Sequence, residues 1–292
     1  MVSSLAMKIC VTCGHGFESG TWTCPRCGWT PGTHDTWPVF ASDIAEGGEG
    51  ISPESFAALA RLEAGHFWFR SRNRLLVWAM RTYFPGAVSF LEVGCGTGFV
   101  LSGIREAFPG LALAGSEVRN AGLAFARARL PDVELFQTDG RRLPFADQFD
   151  VIGAFDMLEH IDDDESVLKQ FFRATRPGGG IVVTVPQHRR LWSVVDEQSF
   201  HCRRYERSEL AAKVERAGFR VVRTTSFVCA LLPIVWLSRV IQNRRGFGAC
   251  AELGVGRIAD TVFERIMDVE RWLIAAGMSL PFGTSLLLVA RR

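Results

Sequence analysis

Glu92-Val93-Gly94-Cys95-Gly96-Thr97-Gly98 is the stretch that decides the fold. It closes a short apolar run, Val88 to Val93, and leads into Phe99 to Phe108, where apolar residues recur at helical spacing. Glycines between a buried strand and a helix let the backbone approach a ligand closely, and the helix start presents free N–H groups. Dinucleotide loops of this type place glycine at the first, third and sixth positions. Here the sixth position is Phe99, and Glu92 stands two residues before the first glycine. The stretch predicts a nucleotide-like ligand at a strand–helix turn, without the dinucleotide spacing.

Outward from this turn the chain alternates strands and helices. Leu111 to Ser116, Val133 to Gln137, Phe149 to Phe155, Ile181 to Val185, Phe219 to Thr225 and Thr284 to Ala290 read as strands; Gly122 to Leu130, Asp163 to Thr175 and Ser208 to Ala217 read as helices. Continuous apolar strands separated by helices imply an α/β fold whose mostly parallel sheet is covered on both faces. Residues 228–280 break the rhythm as an apolar, helical insert before the last strand, with Thr261 to Ala276 amphipathic. Ser52 and Pro53 suit the start of a helix ahead of the sheet.

Glu92 to Gly98 resembles the first motif of class I S-adenosylmethionine-dependent methyltransferases, and the resemblance continues in register for about 200 residues. It implies a Rossmann-like seven-stranded sheet over residues 53–292. It also implies a cofactor site at Glu92, Gly94, Cys95, Gly96 and Gly98, with Glu117 and its neighbour Val118 on the ribose hydroxyls. Most relatives carry Asp where Glu117 stands. By the same resemblance Asp139, followed by Gly140 and Arg141, meets the adenine amino group, and Phe155, Asp156 and Met157 run beside the methionine part. Arg176-Pro177-Gly178-Gly179 matches the family's turn before the fifth strand.

The first thirty residues form a separate pattern. Cys10-x-x-Cys13 and Cys24-x-x-Cys27 are ten residues apart, and two such turns complete a tetrahedral metal site. The pattern resembles a zinc ribbon over residues 1–32, followed by a linker over 33–52. Four thiolates close the coordination shell, so zinc is assigned a structural role that supplies the folding energy of a module with too little core.

Two further segments are candidates for the acceptor end. His66-Phe67-Trp68-Phe69-Arg70-Ser71-Arg72-Asn73 precedes the sheet, and a subset of bacterial methyltransferases carries a near-identical run. Aromatic faces stabilise a sulfonium and a guanidinium suits a carboxylate, so Trp68, Arg72 and Asn73 are assigned to the cofactor, while Phe67 and Phe69 also suit plain core packing. Trp192, Arg203, Arg204 and Tyr205, with Asp196 and His201, follow the fifth strand and are placed over the mouth of the sheet as substrate contacts. His160 and His201 are candidate general bases with Asp196 orienting a histidine, and Glu159–His160 is a candidate metal contact. Loop pinning by hydrogen bonds is the structural alternative for each.

The bulk properties bound the function. The chain has 292 residues, 48% hydrophobic and 22% charged, with a formal net charge of +2, which fits a folded protein and gives no electrostatic reason to expect nucleic acid. Asp156-Met157-Leu158-Glu159 stands where base-methylating enzymes carry Asn-Pro-Pro-Tyr. Met1 to Val11 lacks an apolar core, so a cytoplasmic location is expected. The apolar segment 230–241 suits a buried lid or a membrane-surface contact. The expected acceptor is a small or hydrophobic molecule. The alternatives are a macromolecule docked through the zinc ribbon and a binding module without catalysis. Nothing in the sequence fixes the oligomeric state.

Overall fold

The structure, a computed structural model, describes residues 7–45, 53–245 and 255–292. Ser52 and the end of the linker, residues 46–52, like Cys250, lie outside them, and the side chains of residues 53 and 240–245 are not described.

The strands at the centre are β5 (Ser89–Val93), β6 (Ala112–Glu117), β7 (Glu134–Gln137), β8 (Phe149–Phe155) and β9 (Thr175–Pro186), paired in parallel with one another. The chain steps outward from β5 to β6 and β7, then crosses back so that β8 lies on the other side of β5 and β9 beyond it. This reversal creates a crevice at the carboxyl ends of β5 and β8, the place where open α/β sheets bind ligands. Side chains alternate between faces: Phe90, Leu113, Leu135, Val151 and Val182 pack on one side, and Leu91, Ala114, Phe136, Ile152 and Ile181 on the other. Helices α2 (Phe67–Tyr83), α3 (Phe99–Ala107) and α4 (Asn120–Arg129) cover the first face, and α5 (Asp164–Ala174) and α7 (Arg207–Arg216) the second. The short helix α6 (Val194–Gln198) lies in the segment after β9. The last strand, β11 (Ser285–Arg291), inserts antiparallel between β9 and β10 (Arg220–Phe227).

Among the described residues the sheet has nine strands rather than the expected seven. The two additions come from the stretch expected as a linker: β3 (Gly32–His34) and β4 (Trp37–Val39) form a hairpin that extends the sheet beyond β7. The reason is a buried amide. Gln137 accepts from the Ala41 N–H at 2.9 Å and donates to the Ala41 and Val118 carbonyls, while Trp37, only 1% exposed, donates its indole N–H to Asn120. Pro177-Gly178-Gly179 is not a separate turn but lies within β9, at an irregularity in its pairing with β8.

The cysteine module also packs on the domain. Strands β1 (Met7–Ile9) and β2 (Gly16–Glu18) form its hairpin. Ile9 N–H donates to the Pro144 carbonyl and Ala146 N–H to that of Met7. Trp22 meets Phe40 edge-on at 4.8 Å, and Phe136 and Phe145 at 6.0 Å, with Lys8 over its ring. Such aromatic contacts combine burial with favourable edge-to-face electrostatics. Trp22→Ala is expected to lower the stability of the whole chain by about 2 kcal/mol, read as a fall in Tm.

The insert supplies α8 (Leu232–Arg245) and α9 (Arg257–Ala275). An ion network fastens α9 to α2. Arg70 reaches Glu264 at 2.5 Å and Asp260 at 2.6 Å, Arg74 reaches Glu264 and Asp268, and Asp260 accepts the Phe67 N–H. The Arg70 bond holds the Glu264 carboxyl down to about 2, below its ordinary 4.5. A depressed carboxylate stabilises the fold above its unfolded value and loses that contribution as it protonates in the folded state. The Tm gap between wild type and Glu264→Gln should therefore be full at pH 6 and shrink as pH falls from about 4.5 towards 2.

Candidate functional site

The turn after β5 is built from three left-handed glycines, Gly94, Gly96 and Gly98, at φ of +76°, +50° and +74°. The Gly94 and Cys95 N–H groups both donate to the Ser116 carbonyl, which ties the turn to β6, and Gly98 caps α3. A Cβ on Gly94 would lie 2.4 Å from Met157 Cγ, so the position is closed to other residues by sterics as well as by φ. Cys95 is buried, and burial pushes its thiol well up.

Glu117, at the end of β6, faces this turn. Its carboxylate accepts the N–H groups of Gly96, Val118 and Arg119 at 2.8–3.2 Å, which leaves one of its roughly four acceptor positions for a ligand hydroxyl. Burial nevertheless pushes it upward. Asp139, just past β7, is buried and bound by the Arg141 N–H and guanidinium. Arg141 is about half exposed, so its side chain can leave the carboxylate to a ligand. Gly140 follows, its α-carbon towards Val93, Met157 and Val167.

At the other side of the crevice, Arg72 pairs with Asp156 and lies 4.4 Å from the Trp68 ring centre and 5.6 Å from that of Phe69. Asn73 instead donates to the Phe99 carbonyl and holds α2 to α3. Asp156 has φ of +55° immediately after Phe155 ends β8, a conformation that costs energy and clusters at functional sites. Glu92 is buried beneath the turn with Oε2 unpartnered, and burial pushes its carboxyl well above the ordinary range. The turn open only to glycine and this orphaned carboxylate fit a ligand that carries positive charge into the crevice.

Beyond Asp156 sits a histidine cluster. His160 and His201 meet edge-on with ring centres 4.8 Å apart. Asp196 Oδ1 accepts from His201 Nδ1 at 3.0 Å and from Arg204 Nε at 2.7 Å. Burial works against the Asp196 charge, but His201 and Arg204 hold it down to about 2. Burial, reinforced by His201, lowers His160 to about 4. The carboxylate of Glu159 is fully buried and neither oxygen has a hydrogen-bond partner among the described residues.

The structure separates the expected substrate contacts. Trp192 is partly exposed and reaches Glu197. Arg204 is buried and spends its guanidinium on Asp196 and the Gln187 carbonyl, while Arg203 pairs with Asp162 and Asp164. Tyr205 is wholly buried, donating to Asp164 at 2.6 Å. Arg203, Arg204 and Tyr205 thus tie the segment after β9 to itself and to the start of α5 by satisfying polar groups there.

Two residues that sequence patterns did not flag also shape the site. Helix α1 (Pro53–Leu62) lies over the glycine turn, with Phe56 against Gly96 and Gly122. Glu63, just past α1, accepts from Thr97 at 2.6 Å and pairs with Arg129 at 3.0 Å. The only available signal was Glu63 near the end of an amphipathic helix, which reads as a solvated charge.

The four cysteines converge. Cys10 and Cys27 Sγ are 3.6 Å apart, and Cys13 and Cys24 Sγ 3.7 Å. A zinc tetrahedron with bonds of about 2.3 Å has edges of about 3.8 Å. The two turns repeat the same bonds: Gly14 N–H to the Cys10 carbonyl and Gly28 N–H to that of Cys24, with Cys10 N–H to His15 and Cys24 N–H to Trp29.

The family model of the methyltransferase domain matches residues 58–224. This chain belongs to that family. A probable S-adenosylmethionine-dependent methyltransferase of Mycolicibacterium smegmatis is 30% identical over 162 residues, covering 54% of this chain and 62% of that protein. A ubiquinone biosynthesis O-methyltransferase of Pseudomonas entomophila is 33% identical over 97 residues, 31% of this chain and 41% of the other. The chain thus spans about three-fifths or less of these relatives. Among solved structures, phosphoethanolamine N-methyltransferase 2 of Haemonchus contortus in complex with S-adenosyl-L-methionine shares the fold at a TM-score of 0.55 and 18% identity, over 82% of this chain and 57% of that one. The cyclase SpnF does so at 0.52 and 19%, over 77% and 83%. The methyltransferase domain of this chain therefore includes the whole crevice from Trp68 to His201. Gly94→Ala is expected to destabilise it by about 1–3 kcal/mol, through strain at positive φ and displacement of Met157, measured by thermal unfolding.

Proposed function

We propose that the chain is an S-adenosylmethionine-dependent methyltransferase acting on a small or hydrophobic acceptor. The observation that carries this reading is the glycine turn at the β5–β8 crevice, flanked by the buried acids Glu117 and Asp139 at the ends of β6 and β7. In this reading Glu117 takes a ribose hydroxyl and Asp139 the adenine amino group. Trp68, Arg72, Glu92 and Asp156 surround the amino-acid end, where an aromatic face and carboxylates suit a sulfonium and an ammonium. S-adenosylmethionine, when bound, supplies a methyl group already activated on a sulfonium. The protein then has to align the acceptor and exclude water. Phe56 and the Glu63–Thr97–Arg129 bonds hold α1 over the turn and serve the second task.

His201, oriented by the ionised Asp196, is the residue we assign to receive a proton from an acceptor hydroxyl or amine. Relatives named as a trans-aconitate 2-methyltransferase and a ubiquinone biosynthesis O-methyltransferase support a small acceptor. The zinc module is assigned a structural role, since its aromatic face is spent on its own domain at Phe40, Phe136 and Phe145. That use favours a small acceptor over a macromolecule docked through the ribbon. Ile234, Trp236 and Leu237 on α8 are exposed, which suits an apolar acceptor or a membrane surface, and no described helix is long and apolar enough to cross a membrane. The cysteine pattern, four in metal-type spacing and the others scattered, agrees with a reducing, cytoplasmic setting.

Calorimetry with S-adenosylmethionine tests the reading. Wild type should bind one equivalent. Asp139→Ala should lose at least about tenfold in affinity, as expected for a charged hydrogen-bond acceptor. Absence of binding to wild type, or unchanged affinity in Asp139→Ala, would remove it.

A further inference from the structure

The methyl-transfer reading leaves Glu159 and His160 without a role. Glu159 lies in a short 3-10 turn, Leu158–His160, just beyond β8, and is fully buried. Neither of its carboxylate oxygens has a hydrogen-bond partner. An unpartnered buried carboxylate is among the most costly groups a fold can hold. The backbone around it is firmly placed: the Glu159 carbonyl accepts the Cys202 N–H at 2.7 Å, joining the turn to the segment that carries His201.

The group facing Glu159 is not a hydrogen-bond donor. Asp196 Oδ1 engages His201 Nδ1 at 3.0 Å, which puts the ring proton on that nitrogen in the neutral imidazole. Nε2 is left with its lone pair, and it lies 4.0 Å from Glu159 Oε1. Two acceptors therefore face each other across a gap too wide for a direct hydrogen bond. His160 lies beside them. One ligand atom from each of Glu159, His160 and His201 falls within a set whose members are at most 4.8 Å apart. The nearby cations are otherwise engaged: Arg72 on Asp156 and Arg204 on Asp196.

We propose that Glu159, His160 and His201 form a second metal site, which takes a divalent transition-metal cation. Two imidazoles and one carboxylate are a donor set for zinc, cobalt or ferrous iron, and three protein ligands leave coordination positions open. Bonds of about 2.1 Å need donors about 3–4 Å apart, so the three side chains close slightly onto the ion. Asp196 is the outer partner that fixes the tautomer and direction of His201, the arrangement found behind metal-bound histidines. This site is distinct from the four cysteines, whose thiolates complete their own tetrahedron. Its open positions lie at the acceptor end of the crevice. On the methyl-transfer reading, they would hold an acceptor oxygen or a neighbouring oxygen of a chelating acceptor; with the ion bound, His201 Nε2 is a ligand and not the proton acceptor, and the cation itself lowers the pKa of the bound acceptor group.

The test uses the full chain with zinc retained on the cysteines, titrated with Co²⁺ under dialysis. Metal content and the visible absorption of cobalt are recorded. Wild type should bind one cobalt per chain beyond the zinc, with d–d bands and no sulfur-to-metal charge transfer. Glu159→Gln and His201→Gln should weaken cobalt binding at least tenfold at unchanged zinc content, and Asp196→Asn by about 10–100-fold. The proposal is overturned if wild type takes up no cobalt beyond the zinc, or if the spectrum shows thiolate ligation only. It is equally overturned if the folded variants bind cobalt as tightly as wild type. Where a variant unfolds, the wild-type stoichiometry and spectrum decide. Calorimetry with S-adenosylmethionine on the same samples reads the methyl-donor site separately, so failure of one assignment is not mistaken for failure of the other.

Discussion

Close approach of backbone to ligand at the end of β5 is the constraint around which the molecule is arranged. Three residues in left-handed conformation within five positions turn the chain out of the sheet and straight into α3. The turn is held by two N–H groups on one carbonyl, that of Ser116, so its shape depends on β6 staying in register with β5. Met157 fills the space that any side chain at position 94 would need, which fixes the exit of β8 as well. The crevice, the acids at the strand ends and the cover from α1 and α2 all follow from that one geometry.

Charge is distributed through the site in an uneven way. Glu117 and Asp196 are buried but richly bonded, whereas Glu92 and Glu159 are buried and carry unpartnered oxygens. Bonded carboxylates brace structure; unbonded ones at the edge of a crevice await positive charge. The two deficient acids mark the two ends of the region between the glycine turn and the histidines.

The core of this architecture was legible in the sequence because its signals are local. The β5 turn, the alternation of strands and helices, and the paired Cys-x-x-Cys turns each lie within a few residues and follow from backbone sterics or metal geometry. What escaped was non-local. The hairpin at Trp37 joins the sheet because Gln137, about a hundred positions away, needs partners for its amide, and no periodicity in residues 32–39 announces this. Glu63 reads as a surface charge until α1 is seen to lie on Thr97 and Arg129. Arg203, Arg204 and Tyr205 read as ligand contacts because the sequence shows polar residues near a mouth. Their partners Asp164, Asp196 and Gln187 become visible only once α5 and the loop after β9 are brought together.

Strand β11 sits between β9 and β10, so the sheet's interior is completed by residues 285–291. Until they arrive, β9 has an open edge and β10 has no place in the sheet. The tie between Arg70 and Glu264 bridges a still longer stretch of chain, 194 positions. Contacts of such long range are entropically expensive and are made late. During synthesis the glycine turn and its acids would thus form on a sheet with an exposed apolar edge, and the crevice would gain its full frame only in the final step of folding. The order of assembly makes binding competence depend on β11 being in place.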